Sequence, residues 1–247
     1  MSPRRAVILA AGNGKRMGRL TADRPKSMLE VGGISLINRS LDALASAGVR
    51  DVTIIVGYQH QRMRDHLKDR VRFIENARYN ETNSLYSLWL ARDVLTDGAV
   101  IMNSDVLVSP KLLRRLLHAP VDDAVLVDTT STSFGDEEMK VKTWQGFAID
   151  FGKDLAPWDA DGENVGVLKF GARGGRRLVA HLDRLVAEHH LNAWAPAAFR
   201  ALCQEWPLRV VTTDGLPWTE IDFPEDLARA QALIDATRPH AEYKRAA

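Results

Sequence analysis

The sequence contains one cysteine, Cys203. An internal disulfide and a cysteine-based zinc cluster are therefore excluded, and the scarcity fits a reducing compartment. An excess of charge of either sign is also missing, since 33 Lys and Arg stand against 32 Asp and Glu, for a formal net charge of +1. Such a balance cannot hold a polyanion by counterion release over the whole surface, so nucleic acid is not an expected partner. Long apolar runs are absent too: residues 6–12 are too few for a signal-peptide core or a bilayer span, and no later stretch approaches the length needed. The expectation is a cytoplasmic protein with no membrane partner. The seven histidines show no ligand spacing, and the adjacent His189 and His190 do not share a helix face.

What is present describes an α/β chain. The 247 residues, 45% hydrophobic and 26% charged, suit one large domain. Short β-branched runs at 7–10, 52–56, 71–74, 99–102 and 124–127 alternate with helical patterns at 36–48, 84–95 and 110–117. That order predicts a mostly parallel sheet buried on both faces. Gly48 marks a helix stop and Pro110 a helix start. After residue 130 the pattern changes to a hairpin over 139–143 and 146–149, a strand at 165–170 and helices near 175–190 and 224–236. We read a single domain over 1–237, with a nucleotide-binding half (1–130) and a β-rich half covering the acceptor (131–237). The last ten residues, 238–247, are expected to fray or to meet a second copy in a homo-oligomer.

The first strand runs into Leu9-Ala10-Ala11-Gly12-Asn13-Gly14-Lys15-Arg16. Gly12 and Gly14 allow positive φ and close approach of the main chain, so that N–H groups can point at phosphate oxygens, although two glycines after a strand also make an ordinary tight turn. Arg16 offers a forked contact and Lys15 a point charge. Lys26 follows ten residues beyond Arg16, behind Pro25. No Gly-Lys-Ser/Thr follows at Walker spacing, and a dinucleotide fingerprint lacks its third glycine and acid. The run Leu9-Ala10-Ala11-Gly12-x-Gly14-x-Arg16, with Pro25-Lys26, resembles the signature of the sugar-phosphate and choline-phosphate nucleotidyltransferases. The resemblance implies a Rossmann-like nucleotidyltransferase fold of the GT-A kind with a small β-rich acceptor lid, and a reaction that joins a nucleoside monophosphate to a phosphorylated acceptor with release of pyrophosphate.

Two aspartates gain meaning from that resemblance. Asp105 follows the strand at 99–102, where ligands of parallel sheets bind, and Asp222 sits in Glu220-Ile221-Asp222 ahead of a helix opening at Pro224. Read alone, Asp222 is a helix cap and Asp105 a turn residue; read with the family they are the two magnesium ligands, which suffice because magnesium fills its other positions with water and phosphate. Asn76-x-x-Tyr79-x-x-Thr82-Asn83-Ser84-x-Tyr86 resembles the choline-phosphate and phosphonate cytidylyltransferase branch, which implies CTP, a small phospho- or phosphono-acceptor, and acceptor contacts from Asn83 and Tyr86, with helix capping as the plainer role of the segment. The same resemblance suggests that Lys140 and Lys153, and less so Lys169, reach over the phosphates, and that Glu163 faces a cationic acceptor group; surface solvation is the alternative for each. Trp144, Trp158, Trp194 and Trp218 are candidates for packing or for a cation–π wall. A sugar-1-phosphate enzyme using dTTP, GTP or ATP, or a nucleotide-binding regulator without chemistry, are the alternatives.

Overall fold

The computed structural model describes residues 3–131 and 133–237; the terminal segment 238–247 lies outside the described residues. The chain opens with β1 (Arg5–Ala10), makes two 3₁₀ turns (Lys15–Thr21 and Lys26–Met28) and a hairpin of β2 (Glu30–Val31) and β3 (Ile34–Ser35), and enters α1 (Leu36–Ser46). There follow β4 (Asp51–Val56), α2 (His60–Leu67), β5 (Arg72–Glu75), α3 (Ser84–Leu90), α4 (Arg92–Leu95), β6 (Ala99–Asn103), β7 (Val106–Val108), α5 (Pro110–His118) and β8 (Ala124–Asp128). The second half contributes β9 (Lys140–Trp144), β10 (Phe147–Gly152), β11 (Gly162–Phe170), α6 (Ala172–Ala187), α7 (Pro196–Cys203), β12 (Leu208–Thr212), β13 (Trp218–Glu220) and α8 (Asp226–Thr237).

Nine strands form one sheet in the order β5-β4-β1-β6-β11-β8-β12-β10-β9. The strands from β5 to β6 are parallel, as are β8 and β12. β11 runs against both β6 and β8, and the hairpin β9–β10 joins through β12. The start of β11 also reaches β9, through Gly162 opposite Val141. The β-rich part of the second half thus continues the sheet of the first. β1 shows why its strands read as unbroken apolar runs: Ala6, Ile8 and Ala10 pack into one core, while Val7 packs into another on the opposite face. Leu41, Leu44, Leu112 and Leu116 of α1 and α5 cover the first face; Leu88, Leu178, Leu182 and Leu202 of α3, α6 and α7 cover the second. Each such leucine contributes about 1.5–3 kcal/mol by leaving water.

Local chemistry sets the helix ends. Ser35 and Ser109 accept the N–H of Asn38 and Leu112 at the starts of α1 and α5, and Gly48 follows α1 in the left-handed region at φ 87°. The single helix expected over 84–95 is broken at Ala91, whose ψ of 10° separates α3 from α4. The helices α2 and α7 are additions to the expected set. Among the described residues no helix is long and apolar enough to cross a membrane.

The arrangement fixes where a ligand can lie. From β1 the chain goes outward to β4 and β5, then returns to β6 on the other side of β1. The carboxyl ends of β1 and β6 therefore flank the point where the strand order reverses, the crevice that ligands of open α/β sheets occupy.

Candidate active site

A cleft of about 510 Å³ opens at that point. It is lined by all eight residues of the run Leu9 to Arg16, and by Lys26, Asn83, Asp105, Lys153 and Asp222. A second cavity, about 600 Å³, lies between residues 119–123 and Arg209 and contains none of the expected site residues.

The glycine loop leaves β1 and turns into the first 3₁₀ segment. Gly14 takes φ 60°, and a Cβ there would lie 3.0 Å from Cβ of Lys26, so glycine is needed both for the backbone and for the close approach of the Lys26 segment. The positive φ expected at Gly12 does not occur; its Cα faces open space instead, and a Cβ there would meet no atom within 4 Å. Loop N–H groups remain close to the cleft with no side chain above Gly12 to block a ligand.

Asp105 and Asp222 are 117 residues apart in the sequence and are joined by a two-stranded ladder. β13 pairs antiparallel with β7, with Glu220 opposite Val106, and the Ile221 N–H donates to the Asp105 carbonyl at 3.0 Å. Asp226, at the true start of α8, accepts the N–H groups of Asp222 and Phe223, each at 2.8 Å. The helix starts two residues beyond Pro224, and Asp222 is tied to it through its N–H rather than through a capping carboxylate. The Asp222 side chain is left to face the cleft.

Lys26 stands between the two aspartates, its Nζ 2.6 Å from Asp105 Oδ2 and 2.7 Å from Asp222 Oδ1. Burial alone pushes its ammonium down, but the two carboxylates outweigh burial and hold it above its usual range. Arg16 reaches Asp222 Oδ2 at 3.0 Å and Glu137 at 3.0 Å. Glu220 completes the acidic group: one oxygen from each of Asp105, Glu220 and Asp222 lies within 4.8 Å of the others. Burial, then the charges of Asp105 and Asp222, pushes the Glu220 carboxyl up to about 8. Oδ1 of Asp105 is buried without a hydrogen-bond partner. Three carboxylates with an unpartnered buried oxygen form the hard-oxygen donor set that magnesium takes, and these residues fit it.

The remaining expected residues divide by the way their strands face. Lys153 lines the cleft, with Nζ 3.0 Å from Glu137 Oε2 and 5.4 Å from the centre of the Trp194 ring. Lys140 does not reach the phosphate position: it is buried on β9, and its Nζ donates to the Lys153 carbonyl at 2.7 Å. Lys169 is likewise buried and donates to the carbonyls of Leu117 and Ala119. Asn83 lines the cleft and also caps α3, accepting the Ser84 N–H at 2.8 Å. Tyr86 is turned away and stacks on Trp89 with ring centres 5.3 Å apart; the next residue round the helix, Ser87, lines the cleft instead. Glu163 also fails to line the cleft. Its neighbour Asn164 does so on the alternate face of β11, while burial and the charges of Glu138 and Asp128 push the Glu163 carboxyl up to about 7. Of the four tryptophans only Trp194 is at the cleft; Trp218 donates to Asp128 at 2.6 Å, and Trp144 and Trp158 are exposed.

Glu220 and Glu137 escaped the sequence reading. Glu220 carried a usable signal, because it stands two residues before Asp222 in a short extended segment, where alternate side chains tend to one side. Glu137 lies on a loop and carried none.

Comparison with known proteins places this geometry. The pattern of the MobA-like NTP transferase domain matches residues 6–205. The chain is 27% identical to the CTP:phosphoglutamine cytidylyltransferase of Campylobacter jejuni, over 90% of this chain and 97% of that protein. It is 29% identical to the CMP-5'-(3-aminopropyl)phosphonate synthase of Streptomyces rubellomurinus over 96% of this chain, and spans only 40% of that longer relative. Among solved structures, the CTP:phosphocholine cytidylyltransferase of Streptococcus pneumoniae shares the fold with a TM-score of 0.77 at 23% identity, over 94% of this chain and 100% of that one.

Proposed function

Because the chain belongs to the MobA-like NTP transferase family, we propose that it transfers CMP from CTP to a small phosphorylated or phosphonate acceptor in a magnesium-dependent reaction. The observation that carries the reading is the convergence of Asp105, Glu220 and Asp222 within 4.8 Å beside Lys26 and the glycine loop. Preference for CTP over other nucleotides, and for a small acceptor over a sugar phosphate, rests on the names of two of the relatives that align over 90% or more of this chain.

The chemistry requires little from a general base. A phosphate monoester has its second pKa near about 6, so the acceptor is mostly a dianion at neutral pH. One of its oxygens attacks the α-phosphorus of CTP; the new P–O bond forms as the bond to the β-phosphate oxygen breaks, and that electron pair leaves with pyrophosphate. The protein has to align two anions that repel each other and to neutralise the departing charge. Loop N–H groups and Arg16 hold the triphosphate, Lys26 moves its charge from the carboxylates to phosphate oxygens, and Lys153 approaches from the second half of the chain. A magnesium ion held by Asp105, Asp222 and Glu220 would supply Lewis-acid neutralisation at the reacting phosphate.

The test is pyrophosphate release in the presence of magnesium, with CTP, ATP, GTP, UTP or dTTP against phosphoglutamine, phosphocholine, aminoalkylphosphonates and sugar-1-phosphates. Turnover with CTP and a small acceptor, lost in Asp105→Ala, is the expected result. Turnover confined to a sugar-1-phosphate moves the protein to the sugar branch, and nucleotide binding without acceptor-dependent release points to a regulator.

A further inference from the structure

Glu137 has no part in the chemistry above. It stands on the loop between β8 and β9 with 64% of its side chain exposed, and a single oxygen, Oε2, meets Arg16 Nη1 and Lys153 Nζ at 3.0 Å each. These two cations come from different halves of the chain, Arg16 from the 3₁₀ turn after β1 and Lys153 from the turn after β10. Both line the cleft, as does Glu137 itself. Water would solvate an exposed carboxylate without help, so burial does not account for this placement. A carboxylate oxygen shared by a guanidinium and an ammonium sits as a phosphate oxygen would, since both cations recognise the two anions by the same charge-assisted contacts. Lys153 first, then Arg16, holds the Glu137 carboxyl below its usual range, which keeps it ionised at neutral pH.

Resting on the reading of this cleft as a nucleoside triphosphate site, we infer that Glu137 is a built-in competitor for the triphosphate. Its carboxylate fills the place between Arg16 and Lys153 that a phosphate oxygen takes in the loaded enzyme, and it swings out when the nucleotide seats. Two effects follow. In the empty cleft Glu137 keeps the two like charges from repelling each other and holds them in position. It also lowers affinity for every polyphosphate alike, so that the pyrophosphate product is displaced by a group already tethered beside it. Exposed ion pairs are weak, and a triphosphate with several charges displaces the carboxylate easily.

Calorimetric titration of CTP with magnesium into the wild type, Glu137→Gln and Asp136→Asn tests the inference. Asp136 is exposed on the same loop, and its variant removes the same charge without touching the two ion pairs. Glu137→Gln should bind CTP about threefold to tenfold more tightly and pyrophosphate more tightly to a similar degree, with Asp136→Asn changing either by less than about twofold. Unchanged or weaker binding by Glu137→Gln, or an equal gain in Asp136→Asn, overturns the inference. Failure of the wild type to bind CTP counts against the proposed function instead; inorganic tripolyphosphate, which carries no base, then decides the role of Glu137 by the same comparison.

Discussion

The two ends of the cleft are built on opposite terms. At the end proposed for the triphosphate, full charges from distant parts of the chain face one another: Lys26 against Asp105 and Asp222, Arg16 against Asp222 and Glu137. Around Asn83 the groups are neutral and already paired with the scaffold. Asn76 donates to Thr82 Oγ1 and Ser87 Oγ at 3.0 Å each, and the Ala195 N–H donates to Ser84 Oγ at 2.8 Å. The charged end leaves the buried Asp105 Oδ1 without a partner, whereas at the neutral end Asn76, Ser84 and Ser87 are tied to the scaffold. Nucleotide affinity can therefore come from unmet electrostatic demand. The acceptor has to be selected by shape and by exchange of existing hydrogen bonds.

The contrast breaks most visibly at the charged end. Asp105→Ala should lower kcat by at least about 10²-fold, the scale for removing one electrostatic stabiliser, as read by steady-state pyrophosphate release. A smaller effect is expected from Lys153→Met, about tenfold in kcat/KM for the nucleotide, because one charged contact is lost. Lys169→Met serves as its counterpart: its ammonium donates to the carbonyls of Leu117 and Ala119, away from the cleft, so the kinetic constants should not move. At the neutral end, Ser84→Ala leaves the Ala195 N–H without its acceptor and loosens the backbone that presents Trp194. The acceptor KM should rise severalfold with the nucleotide KM unchanged, alongside a loss of about 1–3 kcal/mol in a denaturant melt.

Glu163→Gln should have the smallest kinetic effect. Its carboxyl, raised from 4.5 to about 7, binds its proton more tightly in the folded state than in the unfolded chain. Wild-type stability from this group is thus full below about pH 4.5 and falls as pH rises to about 7. The glutamine variant escapes that loss and should be more stable than wild type by about 1 kcal/mol near pH 8, after allowance for partial solvent screening, and equal to it near pH 4. Thermal melts at both pH values check this. A raised acceptor KM in the same variant would return Glu163 to the acceptor site.

What could be read from the amino-acid order was local. The strands β1, β4, β5, β6 and β8 and the glycine loop each lie within a few consecutive residues, and burial on both faces leaves β1, β6 and β8 as mainly apolar runs, while the edge strand β5 keeps only Phe73 and Ile74 partly buried. α2 was hidden because only Met63 and Leu67 of its eight residues are buried. The lysines were harder for another reason. On a strand, successive side chains face opposite ways, and the register that decides which way is set by partners far along the chain. Lys140, on β9, is turned into the sheet by that register, whereas Lys153 stands in the turn after β10 and reaches the cleft. The same alternation separates Glu163 from Asn164 on β11, while on α3 the roughly 100° step between successive helical residues separates Tyr86 from Ser87. Asp105 and Asp222 were legible because a family pattern stood in for the missing contact between them.

That contact has a consequence for how the protein is made. Glu220 and Asp222 lie beyond residue 205, where the match to the family domain ends, and reach Asp105 through three paired residues on β7 and β13. A nascent chain that has left the ribosome only as far as residue 205 carries the glycine loop, Lys26 and Asp105, yet has one carboxylate of the three. Such a chain also lacks β12, which lies inside the sheet between β8 and β10, so the acidic centre and the sheet that carries it are completed together, only once the last strands have emerged.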